Sequence, residues 1–151
     1  MANVLKKGGA DRGGYLEIGC VPDSTFEGEI DALVLAGTNV IGKLVSLTWS
    51  NNYEVTSPAD NAIPDGKIVR YEKSGTTYLL TVRLFSYIDQ NSARHTPVCI
   101  MNLEYSGTLA LQDSVIINGS TYRAVQDGTS GGWGAVIGLD TPASGYADVI
   151  M

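Results

Sequence analysis

Few side chains in this sequence could act as nucleophile, base or metal ligand. The chain has one histidine, His95, and two cysteines, Cys20 and Cys99. A nucleophilic triad needs a nucleophile, a base and an orienting group, but His95 lies in a polar loop sequence that ends at Pro97. We interpret it as a surface histidine, and we interpret both cysteines as small buried hydrophobes. A bridge between the cysteines stays open if the compartment is oxidising.

The carboxylates are scattered along the chain and suggest no acid–base pair. Asp65-Gly66 and Asp127-Gly128 have the composition of turns. No Asp-x-Asp-x-Asp-Gly segment indicates a calcium loop, and Gly131–Gly134 lacks the Lys-Ser/Thr pair that completes a phosphate loop. We therefore predict that the protein is not an enzyme, that it holds no metal and that it needs no cofactor.

Aromatic residues at strand ends or in loops are the remaining candidates for a binding site. Trp49, Tyr53, Trp133 and Tyr146 lie at such positions, where flat rings can contact a sugar or a protein partner. Trp133 is flanked by glycines, so its ring could be unshielded, or it could pack against the end of a barrel. As partner contacts we select Trp49, Tyr53 and Trp133.

Length and composition exclude several classes of protein. The chain has 151 residues, of which 44% are hydrophobic, which is enough for one domain with a real core and too many for a disordered chain. The net charge of −6 argues against a nucleic-acid groove. The longest apolar run, Ala32 to Ala36, is too short to cross a bilayer, and Leu5 is followed at once by Lys6 and Lys7, which does not suit a signal peptide.

The charge is unevenly distributed, and this divides the sequence into an arm and a body. Residues 1–14 hold three basic residues and one acidic residue, whereas the rest holds seven basic and 15 acidic residues. Glycine-rich and poor in apolar side chains, residues 1–14 are expected to be flexible in the free protein. They are either a frayed terminus or a basic arm that orders on a partner. The candidate contacts of this arm are Val4, Leu5, Lys6, Lys7, Arg12 and Tyr15.

Residues 15–151 have the pattern of an all-β domain. Turn signals recur every 8 to 15 residues between about nine short strands, which is typical of a small β-barrel or sandwich. Ser74-Gly75 and Asn118-Gly119 predict hairpins. In the strand candidate over residues 77–85, the alternation of side chains places Arg83 toward solvent or a partner. The main strand candidates are residues 40–49, 67–71, 77–85, 97–103, 114–118, 120–125, 133–139 and 146–151.

Residues 24–36 fit a helix or a strand. Phe26 and Ile30 follow helical spacing, and Ser24 with Glu27 has the spacing of a capping box. The apolar run that follows would equally suit a strand, so both interpretations stay open, with a slight preference for a short helix.

The order of motifs over residues 37–151 resembles that of the head-decoration, or capsid cement, proteins of tailed bacteriophages. Asn61–Val69 is similar to their polar turn, Asp-Gly and strand, and Leu111–Val115 to the start of their central strand, with Gln112-Asp113 in place of Gly-Asp. Trp133–Gly138 followed by Tyr146–Ile150 is similar to their closing pair of strands.

This resemblance implies a β-barrel or β-tulip domain with a structural role. Such a protein forms a homotrimer on the outer surface of the phage head and clamps adjacent major capsid protein subunits. Its expected location is the virion, after synthesis in the bacterial host cytoplasm, and it is expected to contact neither nucleic acid nor membrane.

Two other classes remain as alternatives. A carbohydrate- or receptor-binding β domain of a phage tail or fibre would use Trp49, Tyr53 or Trp133 as stacking platforms. A small β-barrel enzyme is the third, and it lacks convergent polar groups.

Overall fold

The computed structural model describes residues 11–118, 124–128, 131–139 and 145–151, and these residues are mostly β. The predicted all-β fold with a small barrel is confirmed. The strands are β1 (Arg12–Gly13), β2 (Leu16–Pro22), β3 (Leu44–Leu47), β4 (Glu54–Thr56), β5 (Gly66–Ser74), β6 (Thr77–Leu84), β7 (Tyr87–Ile88), β8 (Arg94–His95), β9 (Cys99–Tyr105), β10 (Val115–Ile117), β11 (Ala124–Asp127), β12 (Ala135–Leu139) and β13 (Tyr146–Ile150). One helix, α1 (Ser24–Leu35), completes the described elements.

The chain divides into two compact units. Among the described residues, unit 1 contains 11–15, 59–63 and those from 96 onward, and unit 2 contains 16–58 and 64–95. The sequence-based division into 1–14 and 15–151 stays a prediction, because residues 1–10 lie outside the described part. Each unit has its own sheet and its own buried residues.

Unit 2 is a closed five-stranded barrel. Its strands follow the order β2-β4-β3-β5-β6, and β6 also pairs with β2, which closes the barrel. The β5–β6 hairpin turns at Gly75, which has φ +65° and follows Ser74, as predicted from the Ser-Gly pair. A second, two-stranded sheet in this unit joins β7 and β8.

The barrel core follows the alternation of the long strands. Tyr78, Leu80 and Val82 of β6 point inward and are at most 1% exposed, whereas Leu79 is 45% exposed. A period of two is expected for a strand with one face on a core. The other buried members of this core are Cys20, Phe26, Ile30, Val40, Val45, Val55 and Ile68.

One prediction about the strands of unit 2 was wrong in detail. The strand predicted over residues 40–49 is limited to Leu44–Leu47, since a turn at Gly42 precedes it and Trp49 has a positive φ. Arg83 lies on the outward face of β6, as the alternation predicts, and its side chain is partly exposed. It lies directly opposite Glu17 across the β2–β6 pair, and its Nε donates to Glu17 Oε1 at 3.0 Å. Cross-strand pairing of opposite charges stabilises the β2–β6 pair.

Residues 24–35 form helix α1. Its N-cap is Asp23, whose carboxylate accepts a hydrogen bond from Phe26 N at 2.8 Å. The capping box predicted for Ser24 and Glu27 is wrong, because the cap lies one residue earlier and Glu27 Oε1 is buried without a hydrogen-bond partner. The helix packs Phe26 and Ile30 into the barrel core. No helix among the described residues is long and apolar enough to span a membrane.

Unit 1 is a sheet centred on β9. Its strand order is β10-β11-β9-β13-β12, with β1 also paired to β9. The β12–β13 and β9–β13 pairs are antiparallel, and β11 runs parallel to β9. The residues predicted to start a central strand lead into β10, which lies at one end of this order. Buried residues of this unit include Met101, Leu103, Val115, Ile117, Val125, Val136 and Val149.

The hairpin predicted at Asn118-Gly119 falls partly outside the described residues, which exclude 119–123. The two strands that it would join, β10 and β11, pair antiparallel with Ile117 opposite Val125. Of the strand predicted over 120–125, the described part begins at Ala124 and continues to Asp127.

Candidate functional site

An aromatic loop in unit 2 borders a surface cavity. The aromatic loop comprises residues 48–53, which connect β3 to β4. Trp49 and Tyr53 are 59% and 70% exposed. A cavity of about 410 Å³ lies against this loop, which is within the range of small-molecule sites. It is lined by Ile18, Leu47, Trp49, Ser50, Asn51, Asn52, Tyr53 and Glu54.

Both aromatic residues of this loop have left-handed backbone conformations. Trp49 has φ +62° and Tyr53 has φ +51°. A bulky residue in this region is unusual, and each costs of order 1 kcal/mol or more. Asn51 and Asn52, which tolerate positive φ better, do not take these positions. The surrounding structure therefore holds the backbone of two bulky aromatic residues in a strained conformation, which is a feature of functional loops.

Glu54 fixes the shape of the loop. Thr48 Oγ1 donates to Glu54 Oε1 at 2.8 Å, and Asn51 Nδ2 donates to Glu54 Oε2 at 2.9 Å. Thr48 N also donates to the Glu54 backbone oxygen at 3.1 Å. Val21 N donates to the Tyr53 oxygen at 2.9 Å, which attaches the loop to β2. The loop is thus organised before any ligand arrives.

The indole of Trp49 is held by the small β7–β8 sheet. Its Nε1 donates to the Ile88 oxygen at 3.0 Å, and its ring lies 6.3 Å from that of Tyr87. Tyr87 in turn stacks on His95 at 4.7 Å. Because the N–H is already bonded, the Trp49 ring has a fixed orientation although more than half of it is exposed.

His95 is a surface histidine, as the sequence predicts, but it lies in strand β8 and not in a loop. Its Nε2 lies 2.9 Å from Asp89 Oδ2. This hydrogen bond, together with those from Ala93 N and Asn91 N, lowers the pKa of Asp89. No hydroxyl or thiol among the described residues is hydrogen-bonded to His95.

A buried carboxylate, Asp65, connects the base of the aromatic loop to β7. Its Oδ2 accepts from Leu47 N at 2.8 Å, and its Oδ1 accepts from Ile88 N at 3.2 Å. Burial raises the pKa of Asp65 to about 6, against the opposite effect of the two hydrogen bonds and of the nearby charge of Arg94. The residue predicted as a turn residue therefore also supports the cavity.

The two cysteines are buried and free, which confirms their interpretation as small hydrophobes. Burial raises the pKa of the Cys20 thiol to about 11, and burial with the charge of Asp11 raises that of Cys99. Neither is a thiolate at neutral pH. Within the described ranges, no group of three or more His, Cys, Asp or Glu side chains could hold a metal ion.

The predicted arm contacts fall into two groups. Val4, Leu5, Lys6 and Lys7 lie outside the described residues. Arg12 lies in strand β1 and forms an ion pair with the buried Asp148 at 3.7 Å. Tyr15, the last candidate, is half-buried next to this strand.

The start of the described chain is attached to β9 of unit 1. Asn102 N donates to Asp11 Oδ1 at 2.8 Å, and the Asn102 amide donates to Asp148 at 2.8 Å. Gly13 has φ +100°, and a Cβ there would lie 2.6 Å from the Val98 oxygen. Glycine at this position therefore permits a close approach to β9, where the sequence suggested only flexibility.

Trp133 does not contribute a surface ring. It is 4% exposed, and its backbone forms a bridge with Val115 through two hydrogen bonds of 3.0 Å. The flanking glycines explain this, since a Cβ at Gly132 would meet Ser114 and one at Gly134 would meet Val149. They bring the segment close to its neighbours instead of leaving the ring unshielded. The unshielded ring predicted at Trp133 is not observed. The ring is buried, as in the alternative prediction, but it lies in unit 1, whose described strands form a sheet, and not at the end of a barrel.

The sequence pointed to two cavity residues and missed the rest. Trp49 and Tyr53 were selected as exposed aromatics, and the structure brings them to one cavity. The polar segment Ser50–Asn52 between two β runs was an available signal, because such residues form loops. Ile18 and Leu47 carried no such signal, since they reach the cavity only through strand pairing.

Comparisons with known proteins were made for the whole chain. No family model matches it, and no significant match was found among the curated proteins or the solved structures.

Proposed function

We propose that this protein is a structural virion protein that decorates the outer surface of an icosahedral phage capsid. It acts as a homotrimer and stabilises the shell by binding across adjacent major capsid protein subunits. This function requires surface complementarity and many copies, not a reactive centre, and modest contacts repeated over the shell give high avidity.

The attachment of Asp11 and Arg12 to unit 1 is the observation that supports this proposal most directly. Asp11 accepts a hydrogen bond from β9, and Arg12 pairs with Asp148 of β13. A segment that precedes Asp11 therefore starts from a fixed point on a sheet. An arm anchored in this way loses less entropy on docking than one that is loose along its whole length. Residues 1–10, which contain Val4, Leu5, Lys6 and Lys7, are the proposed docking segment.

The rest of the chain agrees with a role in assembly. Outside residues 1–14 the chain has a net charge of −8, so a basic arm and an acidic body can contact different surfaces of the shell. Exposed apolar side chains in unit 1, among them Val98 at 79% and Leu111 at 61%, offer further area for protein contacts.

The proposal predicts binding to expanded capsids that lack this protein. The full chain should co-sediment with such capsids, and decorated heads should release DNA at a higher temperature than bare heads. In solution the protein should have three times the chain mass of 16.0 kDa. If the protein binds no expanded tailed-phage capsid, the proposal is wrong.

A deletion of residues 1–10 tests the docking segment separately. It leaves Asp11 and Arg12 in place, so the fold should be unchanged, and we expect capsid affinity to fall at least about tenfold. Lys6→Ala with Lys7→Ala should reproduce part of the loss, whereas Arg70→Ala, which removes an exposed positive charge of unit 2, should not. Unchanged affinity after the deletion would show that residues 1–10 are a frayed end.

A further inference from the structure

The cavity beside the aromatic loop has the composition of a site for a neutral sugar. Two exposed rings, Trp49 and Tyr53, can pack against the C–H face of a pyranose. Asn51 and Asn52 supply amide groups that both donate and accept hydrogen bonds, which suits the hydroxyls of a sugar. We propose that this cavity binds a neutral saccharide, a function separate from attachment to a capsid.

The charge of the cavity selects among ligand classes. Among the eight lining residues, Glu54 is the only charged one, so the site offers no cation for a phosphate, a sulfate or a sugar acid. Both carboxylate oxygens of Glu54 already accept hydrogen bonds from Thr48 and Asn51. This carboxylate is committed to shaping the loop, which disfavours a cationic ligand that would need it as a counter-ion. The ligand class that remains is a neutral, polyhydroxylated ring.

Preorganisation strengthens the argument. Trp49 and Tyr53 both have positive φ values, and both rings are exposed at the loop. The bond from Trp49 Nε1 to Ile88 fixes the indole, and the Glu54 hydrogen bonds fix the loop backbone. A site whose rings and backbone are already ordered loses little conformational entropy on binding. A ligand that contacts both rings would give a functional reason for the backbone strain at Trp49 and Tyr53.

Tryptophan fluorescence of the full chain provides a direct assay. The chain has two tryptophans, of which Trp49 is exposed and Trp133 is buried, so a saccharide at the cavity should change the emission of Trp49 alone. The probes are tetrasaccharides of glucose, galactose, mannose and N-acetylglucosamine, with sulfated and sialylated oligosaccharides and a lysine-rich peptide as comparisons. We expect saturable binding of at least one neutral tetrasaccharide and none of the charged probes.

Variants locate the site. Trp49→Ala and Tyr53→Ala should each weaken saccharide binding at least tenfold, whereas Tyr53→Phe, which keeps the ring, should change it less than threefold. Leu79→Ala removes an exposed apolar side chain on β6, outside the cavity, and should have no effect. Binding by Trp49→Ala, which lacks the fluorescent reporter, is measured by calorimetry, and circular dichroism checks that each variant is folded.

Three results would overturn the proposal: no saturable binding of any neutral tetrasaccharide, binding only of a charged probe, or neutral binding that Tyr53→Ala and Trp49→Ala leave intact. Capsid co-sedimentation of the same variants separates the two functions. Loss of sugar binding with normal capsid binding is expected, and it would show that the cavity is not the attachment site.

Discussion

At the scale of single residues, Asp65 is a turn residue that also joins several segments by hydrogen bonds. Its backbone oxygen accepts hydrogen bonds from Phe85 N and Ser86 N, while its carboxylate accepts from β3 and β7. It is 5% exposed, and burial raises its pKa to about 6 from an ordinary value of 3.8. A carboxylate in this environment is less stable when ionised than it would be in the unfolded chain.

The pH dependence of stability should contain a contribution from Asp65. A folded-state pKa above the unfolded value stabilises the fold below about pH 4, and this contribution is lost as the pH rises through about 6. The difference amounts to about 3 kcal/mol in the free energy of unfolding. Asp65→Asn removes this contribution. The free energy of unfolding that the variant loses relative to the original chain should therefore be larger at pH 4 than at pH 7.5.

Denaturant unfolding at the two pH values measures this difference, and the titration of all other groups cancels between the two chains. Asp65→Asn should also be less stable overall by about 1 to 3 kcal/mol, because its NH₂ group would face a backbone N–H donor. Equal deficits at both pH values would contradict the assigned pKa shift.

At the scale of elements, helix α1 is attached to the barrel by its core face and by polar contacts, among them a cluster around Asp31. Tyr78 OH donates to Asp31 at 2.7 Å, and Lys73 Nζ lies 3.0 Å from the same oxygen. These contacts lower the pKa of Asp31, with the Tyr78 hydrogen bond as the largest cause. They join the helix to the β5–β6 hairpin.

The N-cap of α1 gives a prediction with a matched control. Asp23→Ala should lower the free energy of unfolding by about 1 kcal/mol, because Phe26 N loses its acceptor. Ser24→Ala, one residue later and exposed, should cost less than half as much. Guanidinium unfolding of the two variants decides this, and equal losses would show that the cap is not at Asp23.

At the scale of the whole molecule, unit 2 occupies an almost continuous stretch of chain. Residues 16–95 contain the complete barrel, α1 and the β7–β8 sheet. Only residues 59–63 within this stretch belong to unit 1, where Asn61 and Ala62 exchange hydrogen bonds with Ile117. A closed barrel with its own core can in principle fold without the remaining chain.

We therefore predict that the fragment 16–95 folds by itself. Its amide NMR spectrum should be dispersed, and its thermal unfolding should be cooperative. A second fragment, made by joining residues 1–15 to residues 96–151, lacks residues 59–63 of unit 1. It should therefore be less stable than the full chain. A fragment 16–95 without cooperative unfolding would show that the barrel depends on the rest of the chain.

Local pattern was sufficient where the determining contacts are close in sequence. The alternation in residues 77–85 predicted the buried face of β6, and Ser74-Gly75 predicted the hairpin, because a strand pleat and a tight turn depend on adjacent residues. The apolar surroundings of Cys20 and Cys99 predicted that both are buried. The all-β class follows from the same signals repeated along the chain.

Tertiary structure decided everything that depends on the close approach of distant segments. Parallel pairing of β2 with β4 places Val21 opposite Glu54, and this pairing is what brings β2 to the aromatic loop. Gly13 and Trp133 were misinterpreted for the same reason: a glycine permits either mobility or close contact, and only the neighbouring chain determines which. The sequence by itself determined which residue types were available for a site. The pairing of strands far apart in the chain decided which of them meet, because backbone hydrogen bonds between strands carry no local sequence signal.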